Sequence, residues 1–192
     1  MLSGDTQRVF DVNMIIQAIM EGTRANAEEL FASTIRHALP IFHINDIVRL
    51  HKAGLEKQAT ELYAKTSPDA PHKFPIDDIA YLCSSGMADM ASDLYSQTVE
   101  FVKMRHHFPV AQIVKMYSLG LKADARDFFS ETVEFCPQAY IASNVKDLYE
   151  AGLYFEARDL FDRTSRFSNH NPATDFASPH YFRANQNPKC GR

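Results

Sequence analysis

Apolar side chains recur along this chain three and four residues apart, in short runs, and the runs fall into register when aligned on the glycines. Gly22, Gly54, Gly86, Gly120 and Gly152 recur at intervals of roughly 32 residues, a period in the range of helical repeats. The third interval is longer than the others by two. Seven residues before each glycine stand Ile15, Ile47, Ile79, Ile113 and Val145, and four before stand Ala18, Leu50, Leu82, Met116 and Leu148. Five residues after come Ala27, Ala59, Ala91, Ala125 and Ala157, and eight after come Leu30, Leu62, Leu94, Phe128 and Leu160. Nine after is an aromatic (Phe31, Tyr63, Tyr95, Phe129, Phe161), and twelve after a threonine (Thr34, Thr66, Thr98, Thr132, Thr164). Three- and four-residue spacings put side chains on one face of a helix. Each unit therefore predicts a short helix A ending near the glycine, a tight turn, and a longer helix B.

Glycine suits such a turn because it accepts a left-handed backbone without steric cost. The alanine lets two helices approach closely, and the aromatic one turn later fills the adjacent gap. Asp46, Asp77 and Asp78 fall in first helical turns, where the helix dipole favours negative charge. One such unit cannot bury its own apolar faces, so neighbours must stack. The expected architecture is all-α: an α-solenoid of five helix-turn-helix repeats with a period of about 32, spanning residues 10–164 after a lead-in of residues 1–9. Pro40, Pro71, Pro75, Pro109 and Pro137 fall between units, where they separate one helix pair from the next. Residues 165–192 carry no repeat and predict an extended tail rich in basic and aromatic residues.

Stretches such as LYEAGLYFEARDLFDR (148–163) and HKAGLEKQATELYAK (51–65) resemble the turn and second helix of the tetratricopeptide and pentatricopeptide repeat superfamily. All five units match the alanine–x3–aromatic signature of a tetratricopeptide second helix. The first helix departs from it: the W-x2-L-G pattern is absent, and Ile19, His51, Cys83, Tyr117 and Tyr149 stand after the Leu position. The resemblance implies a non-catalytic protein-binding solenoid whose first helices line the partner groove. Its pentatricopeptide branch implies RNA reading from two positions per repeat. The first corresponds here to Val12, Ile44, Ile76, Val110 and Ala142, and the second to Leu39, Pro71, Arg105 and Pro137. Apolar side chains cannot hydrogen-bond a base edge. A shift by one residue would be needed to recover Asn13, Asn45 and Asp77.

Composition narrows the partners. The chain has 192 residues, 45% hydrophobic and 23% charged, which is ordinary for a globular protein. Its net charge of −4 is not that of a nucleic-acid polycation. Residues 165–192 hold four basic residues against one acid, a charge of +3, which leaves −7 on the rest. No apolar run is long enough to span a bilayer, and the opening MLSGDTQRVFDVN lacks the apolar core of a secretory signal. Cys83, Cys136 and Cys190 are scattered and odd in number. That fits an intracellular, reducing compartment, cytoplasm and mitochondrial matrix being equally compatible.

Candidate chemistry is sparse. Cys83, beside Leu82, is expected to be a small core hydrophobe. The threonines are expected to bond within their own helices. His106 and His107 are adjacent, and Pro40 separates His37 from His43, so neither pair has a metal-ligand spacing. There is no phosphate-cradling glycine loop, Gly-x-Ser-x-Gly elbow or His-Glu-x-x-His. The expectation is no enzyme, no metal and no cofactor.

One polar stripe stands out on helix A, at nine, five and two residues before each glycine. Its members are Asn13, Gln17, Met20; Asn45, Arg49, Lys52; Asp77, Tyr81, Ser84; Ala111, Lys115, Ser118; and Ser143, Asp147, Glu150. Within it, Asn45, Arg49, Asp77, Tyr81, Lys115 and Asp147 are the candidate partner-binding residues, and Phe176, Tyr181, Phe182 and Arg183 are candidate tail anchors. The expected function is a scaffold, adaptor or subunit of a multi-subunit protein assembly. The alternative is an organellar ribonucleoprotein subunit touching RNA by charge and shape, without base specificity.

Overall fold

A computed structural model gives the structure of residues 9–39, 41–70 and 75–167, which are helical, with no β-strand among them. Among the described residues ten α-helices follow one another: α1 (Val12–Met20), α2 (Arg24–Thr34), α3 (Ile44–Lys52), α4 (Glu56–Thr66), α5 (Ile76–Ser84), α6 (Ala88–Met104), α7 (Val110–Ser118), α8 (Lys122–Thr132), α9 (Ala142–Glu150) and α10 (Tyr154–Thr164). The chain divides into two compact units between Thr98 and Val99. In the first, α1 packs on α2, α3 on α4, and α3 also meets α1 and α5. In the second, α7 packs on α8, α9 on α10, and α7 on α9.

The turns explain the glycines. In the turn after α3, the Gly54 N–H donates to the His51 carbonyl at 2.9 Å and the Leu55 N–H to the Leu50 carbonyl at 3.0 Å. This paired closure needs a left-handed residue between the two helices. Gly54 supplies it with φ of 78°, and beyond its own chain neighbours no atom lies within 4 Å of where its Cβ would be, so backbone conformation and not space selects glycine. Gly22, Gly86, Gly120 and Gly152 have φ between 78° and 93°. Leu55 then serves as N-cap of α4 while fully buried. Leu153 does the same for α10.

The core follows the columns. The residues seven and four before each glycine and the alanine five after are all buried, as are the five threonines. Each threonine hydroxyl donates to the carbonyl four residues earlier at 2.6–2.8 Å. These hydroxyls therefore carry their hydrogen bonds into the core with them, the usual way for a helical threonine to be buried. The aromatic nine after the glycine meets a second aromatic twelve before it, edge to face: Phe10 with Phe31, Phe42 with Tyr63, Phe108 with Phe129 and Tyr140 with Phe161, with ring centroids 5.7–6.0 Å apart. Such pairs add about 0.5–1.5 kcal/mol beyond their buried area.

Helix α6 departs from the pattern. α2, α4, α8 and α10 end at their threonine and pass into a 3₁₀ turn, whereas α6 runs on to Met104. Ten residues separate Thr98 from Pro109, against four between Thr132 and Pro137, so the helix has no early stop. It closes with His106 at φ 48°. This is the glycine position of the same turn geometry, filled by a residue with a Cβ.

Tyr63 ties α4 to α6. Its hydroxyl donates to Asp93 Oδ2 at 2.8 Å and lies 3.1 Å from the Met90 carbonyl. Burial, reinforced by Asp93, holds its phenol above the ordinary value of 10.0. Because the folded pKa is raised, the stability this group contributes is complete below about pH 10 and is lost as the pH rises beyond it. Tyr63→Phe should cost about 1 kcal/mol at neutral pH. Melting curves above about pH 10 should then show the wild type losing stability more steeply than the variant, so that the gap closes.

Candidate functional site

Helix A ends on the same two turns in every pair, so its polar face is set by register alone. Every residue of the stripe is exposed. In the first unit the stripe is laterally bonded across neighbouring helices. Arg49 on α3 donates from Nη2 to Asn13 Oδ1 on α1 at 2.7 Å, while its Nη1 lies 3.7 Å from Asp46. Lys52 on α3 sits over the Tyr81 ring of α5, 5.7 Å from its centroid. Asn45 stands on α3 and Asp77 in the first turn of α5. The structure thus brings Asn45, Arg49, Asp77 and Tyr81 onto adjoining helices. In the second unit, Lys115 on α7 and Asp147 on α9 occupy the corresponding exposed positions of two packed helices. The tail anchors Phe176, Tyr181, Phe182 and Arg183 lie outside the described residues.

Arg49 and Tyr81 are each engaged by a side chain of a neighbouring helix. Arginine and tyrosine side chains already held by neighbours lose less freedom when a partner arrives. The stripe of the first unit carries both signs of charge, Arg49 and Lys52 on α3 and Asp77 on α5.

Of the two positions per repeat that would read RNA bases, the second is exposed at Leu39, Arg105 and Pro137, with Pro71 outside the described residues, and the first lies at the helix starts. Val12, Ile76 and Val110 are buried in helix starts, and Ile44 and Ala142 are half-buried. Their apolar side chains serve the core.

Cys83 corrects the sequence-based expectation: it is exposed, not a core hydrophobe. It lies three residues before its glycine, in a column whose other members, Ile19, His51, Tyr117 and Tyr149, are half-buried at the margin of the helix face. Burial pushes the Cys136 thiol up, away from the thiolate form that nucleophilic chemistry needs. His43 is engaged by Asp46 at 3.2 Å and by the Leu39 carbonyl at 3.2 Å, and His106 packs on Phe135. No group of three or more potential metal ligands occurs among the described residues. A shallow depression lined by Phe108, Pro137, Ala139, Ile141 and Leu160 carries no titratable group. No described helix is long and apolar enough to cross a membrane.

Two columns were missed in the sequence and could have been found by the same register. Phe10, Phe42, Phe74, Phe108 and Tyr140 stand twelve residues before the glycines. Leu55, Met87, Leu121 and Leu153 stand one residue after four of them.

No protein-family model, curated protein or solved structure matches the chain.

Proposed function

We propose that residues 10–164 form a five-repeat α-solenoid of tetratricopeptide-like type that binds a protein partner along its first helices and acts without catalysis as a scaffold or assembly subunit. The observation that carries the reading is the stripe: fifteen positions chosen by one spacing rule, all exposed, on helices that pack side by side within each unit. A solvated helix face would need polar side chains only. The Asn13–Arg49 bond and the Lys52–Tyr81 contact instead fix individual groups in place between helices.

The test is purification of the tagged full-length chain with its complexes intact, with and without nuclease, against Arg49→Glu/Tyr81→Ala and Lys115→Glu/Asp147→Lys. Both double variants should keep the wild-type helical signal and lose the same co-purifying polypeptides by more than about tenfold. Unchanged recovery would remove the stripe as the binding surface. Loss of every partner on nuclease treatment would put RNA in its place.

A further inference from the structure

The stripe carries a different sign in each unit. On α3 and α5 it holds Arg49 and Lys52 against Asp77, a net charge of +1. On α7 and α9 it holds Lys115 against Asp147 and Glu150, a net charge of −1. The charges are also sorted by helix: both cations of the first patch stand on α3, and both anions of the second on α9.

The two patches follow one template. α3, α5, α7 and α9 are each nine residues long, and α3 packs beside α5 as α7 packs beside α9. Stripe positions therefore recur at the same spacing along the helices and across them. When two such patches are laid face to face with their helices running the same way, the order reverses: α3 meets α9 and α5 meets α7. Each column then meets itself. Arg49 stands opposite Asp147, Lys52 opposite Glu150 and Tyr81 opposite Lys115, while Asp77 falls on Ala111. No like charges oppose each other. Helices running in opposite directions would put α3 on α7, and Arg49 on Lys115. An α3–α5 patch laid on another α3–α5 patch matches no opposite charges. An α7–α9 patch on its own kind brings Lys115 to Asp147 but leaves Glu150 on Ser118.

The groups are available for such contacts. Lys52 and Asp147 make no ion pair among the described residues, and Glu150 lies 3.6 Å from Lys146 in an exposed pair. The bond to Asn13 uses one of the five N–H donors of Arg49.

We propose that the partner of the stripe is a second copy of this chain, the α3–α5 patch of one copy docking on the α7–α9 patch of the other through Arg49–Asp147 and Lys52–Glu150 pairs. The proposal rests on the reading of the stripe as a binding surface and names its occupant. A second copy supplies complementary charges at the repeat's own spacing, and opposed charges of this kind set register and reject wrong pairings.

Two charge-reversal variants of the full-length chain test it: Arg49→Glu/Lys52→Glu and Asp147→Lys/Glu150→Lys. In analytical ultracentrifugation the wild type should sediment above the mass of one chain at micromolar concentrations. Each variant alone should keep the wild-type helical signal and self-associate more than about tenfold more weakly, because like charges now meet. An equimolar mixture should regain the wild-type mass, since every acidic patch then has a basic patch to meet. A single chain carrying all four reversals should also associate like the wild type. Self-association that both variants keep, or that neither the mixture nor the fourfold variant restores, would overturn the proposal. Loss with Asp147→Lys/Glu150→Lys alone would overturn it in favour of α7–α9 meeting its own kind. A wild type that sediments as one chain would overturn it as well. In that case, if Arg49→Glu/Tyr81→Ala still loses co-purifying polypeptides, the stripe reading stands with a different protein as its occupant, and if it loses none, that reading falls too.

Discussion

Phe128→Ala is expected to lower the unfolding free energy by about 3–5 kcal/mol, the usual cost of deleting a buried aromatic ring. Phe128 is fully buried on α8, eight residues after Gly120, in a column otherwise held by leucine. The loss has two parts: the transfer energy of the ring, and a cavity that helices anchored at Gly120 and Thr132 cannot readily collapse. Leu30 in the first pair is the internal control. It holds the same column but is only half-buried, so Leu30→Ala should cost distinctly less. Chemical denaturation followed by circular dichroism decides the matter. A Phe128→Ala penalty below about 1 kcal/mol would mean that the column is not core.

The parts of the fold legible in the sequence are those fixed by local geometry. A left-handed turn selects glycine whatever surrounds it, and a helix shows its buried face as a three- and four-residue spacing. The helix pairs could therefore be read from Gly54, Leu50, Ala59 and Thr66 alone. Residues at the edge of a face were harder, because burial there depends on what the next helix covers: Cys83 adjoins Leu82 in sequence yet is exposed. The length of α6 depended on the absence of a proline before Pro109, a signal that lies in what the sequence lacks. The stripe was legible as a set of positions, but its lateral bonds were not. Arg49 meeting Asn13 is a contact across 36 residues that no single helix pattern encodes.

Replacing the buried alanine of the helix pairs should be costly in the opposite sense, by overfilling. Ala125 is fully buried and Ala91 almost so. A leucine there adds three carbons to a closely packed interior, with an expected cost of about 1–3 kcal/mol as the helices shift apart or the side chain leaves its rotamer. Glycine provides the comparison that separates close packing from simple helix preference. Ala125→Gly removes one methyl and loosens the backbone, costing about 1 kcal/mol from helix propensity, with the lost burial in addition. If the two helices of each pair meet at this alanine, leucine should melt the protein below the glycine variant at both Ala91 and Ala125. If leucine is tolerated as well as or better than glycine at both sites, there is room beside the alanine. The column would then be kept for helix propensity, and the close crossing of each helix pair would have to be sought at another residue.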